Sequence, residues 1–326
     1  MSTVSRYPHR DRLLQIVQAA GLKREGLVAD AIFPRVQTPG ANFEWIDWSG
    51  TDGKFENLRE IDDKIGCYST AKNIDPSVFE YKQGKVNDYA LEMFLKECNL
   101  TACGELPFDI EAQKTEELVD RLLLNREIRA ASNATNTSIY GTAIPYSSVT
   151  NSTNFEGARI TGVDLSIGAN DYLEFFMNIQ DNNSTTGPRN VAVMNRRTIN
   201  QLRRHPSFKS GGCAIPPIEA PEVVANLMGV DRVAIADAYY NVSAAAGTTD
   251  LVKVLDNKIL MLRNAPLTGT DGIQRVFGFS AFQDGLNNMV YFDPKIGKDG
   301  SEVQKVSHDF TDIIADVKSA TLIELA

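Results

Sequence analysis

Cysteine, histidine and long apolar runs are scarce in this chain, and each scarcity removes a class of function. The four cysteines, Cys67, Cys98, Cys103 and Cys213, include no Cys-x-x-Cys pair, and only Cys98 and Cys103 are near one another. Neither a zinc ribbon nor a disulfide framework is expected from that spacing. His9, His205 and His308 are far apart, which argues against a histidine metal site or a nucleophilic triad. Nothing approaches the roughly 18 consecutive apolar residues of a membrane span. The start, MSTVSRYPHRDRLLQIVQAA, lacks the apolar segment and small-residue cleavage site of a secretory signal. GxxxxGK(S/T), strand-following GxGxxG, GxSxG and HExxH are all missing, and IGKDG at 296–300 lacks the upstream glycine and reads as a turn. Asp62 with Asp63 and Glu116 with Glu117 are adjacent in sequence, which does not place two carboxylates at one reaction centre. We therefore expect no catalytic, cofactor-binding or metal-ligating residues, no membrane partner and a cytosolic product.

What is present is ordinary globular material. The 326 residues are 43% hydrophobic and 23% charged, so the chain should fold, and its length exceeds one compact core, predicting two or three lobes. The net charge of −9, with an isoelectric point near 5.0, argues against a surface devoted to nucleic acid, although a local basic patch is compatible with it.

The longest helical pattern covers 109–134. Leu118, Leu122, Leu124, Ile128 and Ala131, with Val119 and Leu123 beside them, form one apolar stripe. Glu117 precedes Arg121 by four residues, and Arg126 and Arg129 belong to the same mixed-charge surface, which reads as the solvated face of a long core helix and, only under the resemblance given below, as a docking rail. Asp109 suits the N-cap, and SNATNTS ends the run. At about 1.5 Å per residue the helix makes a rod of roughly 35 Å.

Before it, Pro34 and Pro39 predict an extended arm with Ile32, Phe33 and Val36 as hydrophobic pegs, packed on its own subunit or on a neighbour. Residues 41–101 read as a two-stranded excursion, with Phe43, Trp45 and Trp48 outgoing and NDYALEMFLKE returning. Between them Arg59, Glu60, Asp62, Asp63 and Lys64 sit in a charged tip that is either a solvated loop or a tongue pairing with another subunit. A hairpin standing away from its domain is marginally stable alone, which favours a partner.

Beyond the long helix, GANDYLEFFMNIQ predicts a short helix, VAVM a buried strand, and RRTINQLRRH a helix capped by Asn195. That helix turns Ile199 and Leu202 to the core and Arg196, Arg197, Arg203 and Arg204 into a basic stripe, either solvated or facing acidic neighbours or nucleic acid. PEVVANLMG is a helix stopped by Gly229, VDRVAIADAYYN a strand, LVKVLDNKILMLRN two strands around Asp256 and Asn257, GIQRVFGFSAF a strand, and 303–325 closing strands. Helices and strands are segregated, so the class is α+β.

The ordered series YALEMFL, PFDIEAQKTEELVDRLLLNREIRAA, NVAVMNRRTINQLRRHP, VDRVAIADAYYN and DNKILMLRNAP resembles the major capsid protein of tailed bacteriophages over nearly the whole chain. The resemblance implies an N-terminal arm at 1–40, an extended β-hairpin loop at 41–101, a peripheral domain at 102–189 with its spine helix at 109–134, an axial domain at 190–285, and return strands of the peripheral domain at 286–326. It implies a structural protein that self-assembles as hexamers and pentamers into an icosahedral shell around double-stranded DNA. Arg59, Glu60, Asp62, Asp63, Lys64, Glu117, Arg121, Arg126, Arg129, Phe33 and Val36 are then the candidates for contacts between subunits. Implied partners are further copies, a portal protein, a separate scaffolding protein, a decoration protein, and packaged DNA held weakly and without sequence specificity. The implied location is the virion, assembled in host cytoplasm. No lysine–asparagine crosslinking pair is identifiable. An encapsulin-like compartment shell is the alternative with the same fold. A soluble enzyme with an unrecognised site is a third reading, which a deep apolar pocket with converging titratable groups would revive.

Overall fold

The computed structural model describes residues 27–47, 80–95, 110–166, 168, 170–183, 186–208, 216, 220–243, 249–264, 275–295 and 301–326. Arg59, Glu60, Asp62, Asp63 and Lys64, together with Trp48 and Asp109, lie outside them.

The long helix, α2, runs Ile110–Ala134, as its periodicity predicts. Leu118, Val119, Leu122 and Leu123 are buried. They pack with Val306 and the half-buried Tyr89, Leu91 and Met93. In the second half of α2 the stripe departs from expectation. Leu124 and Ile128 are only half-buried, while Arg126 and Glu127 are buried. The cause is the preceding arm, which lies against this part of the helix and brings its own charges.

That arm is not an extended reach. Ala29–Ile32 forms a one-turn helix, α1, and Arg35–Gln37 forms β1. Phe33 is fully buried, with its ring stacked on Phe277 at 5.6 Å between centroids. Val36 is half-buried beside Val86, Phe279 and Ile313. The apolar pegs are therefore occupied by their own subunit, which removes Phe33 from the set of contact candidates and leaves Val36 little surface to offer. A chain that buries a large aromatic ring locally gains more than one holding it in water for a partner.

The excursion also pairs differently. Asn42–Asp47, β2, is antiparallel to Glu80–Lys85, β3, whereas Asn87–Leu95, β4, is antiparallel to Ser301–Ile314, β14. The return partner of β2 is thus EYKQGK and not NDYALEMFL. β4 and β14 belong to a five-stranded sheet with β1, Gly278–Phe282 (β12) and Leu286–Asp293 (β13), in the order β1-β12-β14-β13 with β4 also on β14. Gly278 opens β12 at a point where a Cβ would collide with the Ile313 carbonyl and the Phe33 ring, so only a glycine lets strand and arm approach this closely.

A second sheet has six strands in the order β5-β6-β15-β11-β7-β8. They are Ala143–Pro145, Arg159–Val163, Ala320–Leu325, Lys258–Leu262, Val191–Met194 and Arg232–Ile235 respectively. Three helices, Tyr172–Asp181 (α3), Arg196–Leu202 (α4) and Ala220–Met228 (α5), share a core with it. β7 is buried at all four positions and α4 is capped by Asn195, whose side chain accepts from Thr198 N, both as expected. Gly229 stops α5 at φ +68°, the left-handed backbone that glycine tolerates.

Two domain expectations change. The boundary at 189/190 divides one sheet, because β5 and β6 lie in the same sheet as β7 and β8, and β6 and α3 share a core with β7, α4 and α5. The block 286–326 is divided as well: β13 and β14 lie in the five-stranded sheet, while β15 sits in the interior of the six-stranded one, parallel to β6 and antiparallel to β11. Its first four residues are all buried, and an apolar run of that kind favours an interior strand with two covered faces. The expected strand at 230–241 is two, β8 and Tyr239–Asn241 (β9), the latter paired with Leu251–Lys253 (β10) in a two-stranded ribbon.

Candidate assembly surfaces

Of the charged residues predicted to form a rail on α2, Glu117 and Arg121 remain on the surface, paired at 2.5 Å. Arg126 is buried and Arg129 is half-buried. The Arg126 guanidinium is buried, lies 2.7 Å from Asp30 Oδ1 and sits 5.2 Å from the Phe310 ring centroid. Arg129 stacks 4.0 Å from the Tyr89 ring centroid and 5.3 Å from that of Phe310. Phe310 is thus shared by two cations, a cation–π arrangement that holds α2 on β4 and β14.

Beside this pair Glu127 carries the arm. Its two carboxylate oxygens accept from Val28 N at 2.7 Å and Ala29 N at 2.8 Å, so a side chain of the spine helix caps the N-terminus of α1. Asn264 serves the other end, donating to Ala31 O at 2.5 Å and Ile32 O at 2.8 Å. A helix this short cannot satisfy its own terminal groups, and both caps come from distant sequence. Burial pushes the Glu127 carboxyl upward, partly offset by those two N–H donors and Arg126. Asp30 also feels an upward pull from burial, but Arg126 and the Arg35 fork, at 2.8 and 2.9 Å, outweigh it and hold its pKa low. His308 is pushed down to about 3 by burial first and then by Arg126 and Arg35. Burial raises Asp312. The hub is a structural clamp between arm, spine and sheet.

Other groups face outward. β9 and β10 present Tyr239 and Leu251, followed by Val242. The face of β4–β14–β13 turned away from α2 presents Phe94 and Met289, with Glu92 and Lys305 paired at 3.5 Å between them. The alternation of Tyr89, Leu91 and Met93 with Ala90, Glu92 and Phe94 is the sequence signal that places Phe94 on the polar face.

The basic stripe of α4 lines an open depression of about 610 Å3 with Asp237, Tyr239 and Lys253. Arg196 Nε is 2.6 Å from Asp237 Oδ2. A second, smaller groove of about 330 Å3 lies between α3 and the turn Tyr146–Ser148, with Asp171 and Glu174 at its rim. Among the described residues there is no group of three or more His, Cys, Asp or Glu suited to a metal ion, and no helix long and apolar enough to cross a membrane.

No family model and no curated protein matches the sequence. Solved structures do match the fold. A phage-related protein of Bordetella bronchiseptica RB50 superposes with a TM-score of 0.64 at 13% identity, covering 95% of this chain and 96% of its own. The virus-like particle of Pyrococcus furiosus gives 0.55 at 11%, covering 97% and 100%. A putative capsid protein of a prophage of Escherichia coli CFT073 gives 0.52 at 10%, covering 97% and 99%. The chain has the α+β fold of phage major capsid proteins.

Proposed function

We propose that this protein is a major capsid protein, assembling as hexamers and pentamers into an icosahedral shell around the double-stranded DNA of a tailed phage. The observation that carries the reading is the full-length fold match to a putative prophage capsid protein, which takes in 97% of this chain and 99% of that one. The protein acts as a structural tile, with assembly energy drawn from many modest interfaces. In this reading the subunit works in the virion, after assembly in host cytoplasm with a portal and a separate scaffolding protein, and a decoration protein can be added outside. Contacts to DNA are weak and independent of sequence, in keeping with an acidic chain. The loop tip at Arg59, Glu60, Asp62, Asp63 and Lys64 and the exposed Glu117–Arg121 pair are the inter-subunit contacts.

Negative-stain microscopy of the expressed chain, with and without its phage's other assembly proteins, tests the proposal. Hollow particles of uniform diameter are expected, and a monomer or dimer under every condition would overturn it. A compartment shell is the second reading, favoured by the match to the Pyrococcus furiosus virus-like particle over the full length of that chain. The contents of native particles separate the two: DNA with portal and tail proteins marks a virion, and a single enzyme cargo marks a compartment.

A further inference from the structure

The two edges of the six-stranded sheet, β5 and β8, are flanked by surfaces of opposite charge. Beside β8, the depression takes Arg196 and Arg197 from α4, Arg204 from the turn that follows it, and Lys253 from β10. Asp237 engages Arg196. Arg197 and Arg204 are exposed, and neither forms an ion pair among the described residues. Beside β5, the smaller groove has Asp171 and Glu174 at its rim and no lysine or arginine in its lining. The helices repeat this division, since α3 contains no basic residue and α4 no acidic one. Each side also exposes apolar surface: Tyr239 and Leu251 near the basic edge, and Met177 on α3 near the acidic one.

In a chain of net charge −9, such a concentration of cations on one edge calls for an anionic partner. The chain itself supplies one on the opposite edge of the same sheet. Two basic edges repel each other, so a symmetric face-to-face dimer does not satisfy either surface. A head-to-tail contact does, and repeated with a fixed rotation it generates a closed ring. Charge of this kind sets register and partner choice, while the exposed apolar side chains supply area to bury.

We propose that the β8 edge of one subunit docks on the β5 edge of the next copy, with Arg197 and Arg204 facing Glu174 and Asp171. The proposal rests on the shell reading and names the surfaces by which its rings close.

The test uses the full-length chain, the double variant Arg197→Glu/Arg204→Glu, and Glu174→Lys, each brought to assembly conditions at low salt and followed by sedimentation velocity and native mass spectrometry. Each variant alone should need about tenfold more protein than the unaltered chain to form rings. A one-to-one mixture of the two variants should recover to within about threefold, because each reversed edge then meets its complement. Circular dichroism checks folding. If the double reversal fails to fold, Arg197→Gln/Arg204→Gln replaces it, with an expected shift of about threefold. Assembly of either variant at the unaltered concentration overturns the proposal, as does a mixture no better than its components. Loss of DNA retention by the double variant with normal ring formation also overturns it and assigns the depression to nucleic acid. Absence of rings in all samples, the unaltered chain included, is the distinct signature of a failed shell reading, and overturns this pairing with it.

Discussion

Glu127 binds two successive backbone N–H groups of the arm while buried beside Arg126, so its removal leaves both donors unpaired at once. Truncation leaves buried groups unpaired, which costs more than the net worth of the bonds. Glu127→Ala is expected to lower unfolding free energy by about 3 kcal/mol and Glu127→Gln, which keeps one acceptor oxygen, by about 1 kcal/mol, measured by denaturant titration of the monomer. Equal losses for both variants would show that packing, not capping, is the contribution. His308 bears on acid stability. Its folded pKa of about 3 lies below the ordinary 6.5, under burial and the fields of Arg126 and Arg35, with Asp309 and Asp30 opposing. Between those values the unfolded chain binds the proton and the folded one resists it, so stability falls as pH drops from about 6.5 toward 3, and above 6.5 the residue is indifferent. Glu127 and Asp312, raised by burial, act in the opposite sense, recovering stability as they protonate. Comparing His308→Asn with the unaltered chain isolates the histidine: the variant should lose less stability between pH 7 and pH 5, and an unchanged slope would contradict the assignment.

At the scale of elements, β12 and the arm are held at a separation that a methyl group would violate, since a Cβ on Gly278 would meet both the Ile313 carbonyl and the Phe33 ring. Gly278→Ala should therefore destabilise the chain by about 1–3 kcal/mol through overpacking, seen as a lower thermal midpoint, despite the higher strand preference of alanine. An unchanged midpoint would mean that the arm yields without cost. Local periodicity was sufficient for α2, β7 and the Asn195-capped α4, because their patterns are decided by one face in the core and one in water. The inward turn of Arg126 and Arg129 was not legible: i, i+4 spacing says which charges share a face, but not that the face meets Asp30, Tyr89 and Phe310 from distant sequence. Phe33 failed for the same reason, its partner Phe277 lying far along the chain. β3 was missed because EYKQGK lacks apolar alternation; its identity comes from backbone pairing with β2. The basic stripe on α4 was visible from the sequence, whereas its acidic counterpart beside β5 emerged only once the sheet order placed the two on opposite edges.

For the whole molecule, in the shell proposed above, the inward-facing arginines redistribute the work of assembly. With Arg126, Arg129 and Phe33 committed to the subunit's own clamp, the contacts left to join neighbours are exposed and individually weak. An exposed ion pair is worth about 0–1 kcal/mol, too little to fix one subunit to another, but a shell repeats each pair in every copy and closes only when all are made together. Such an assembly should respond steeply to small changes in pair strength. The charged tip offers a direct measure. On the proposed reading of this segment as an exposed contact, Arg59→Glu with Lys64→Glu should leave far-ultraviolet circular dichroism and the thermal midpoint of the monomer unchanged, since surface substitutions away from packed features shift stability by about 0.5 kcal/mol or less. The same variant should yield few or no closed particles under conditions in which the unaltered chain assembles, and added salt should weaken the unaltered chain in the same direction, because exposed charges beyond about 10 Å are screened at 0.1 M. Normal particle yield from the reversed tip would assign the tongue to solvent, leaving the sheet edges and the Glu117–Arg121 surface to carry the joints between copies.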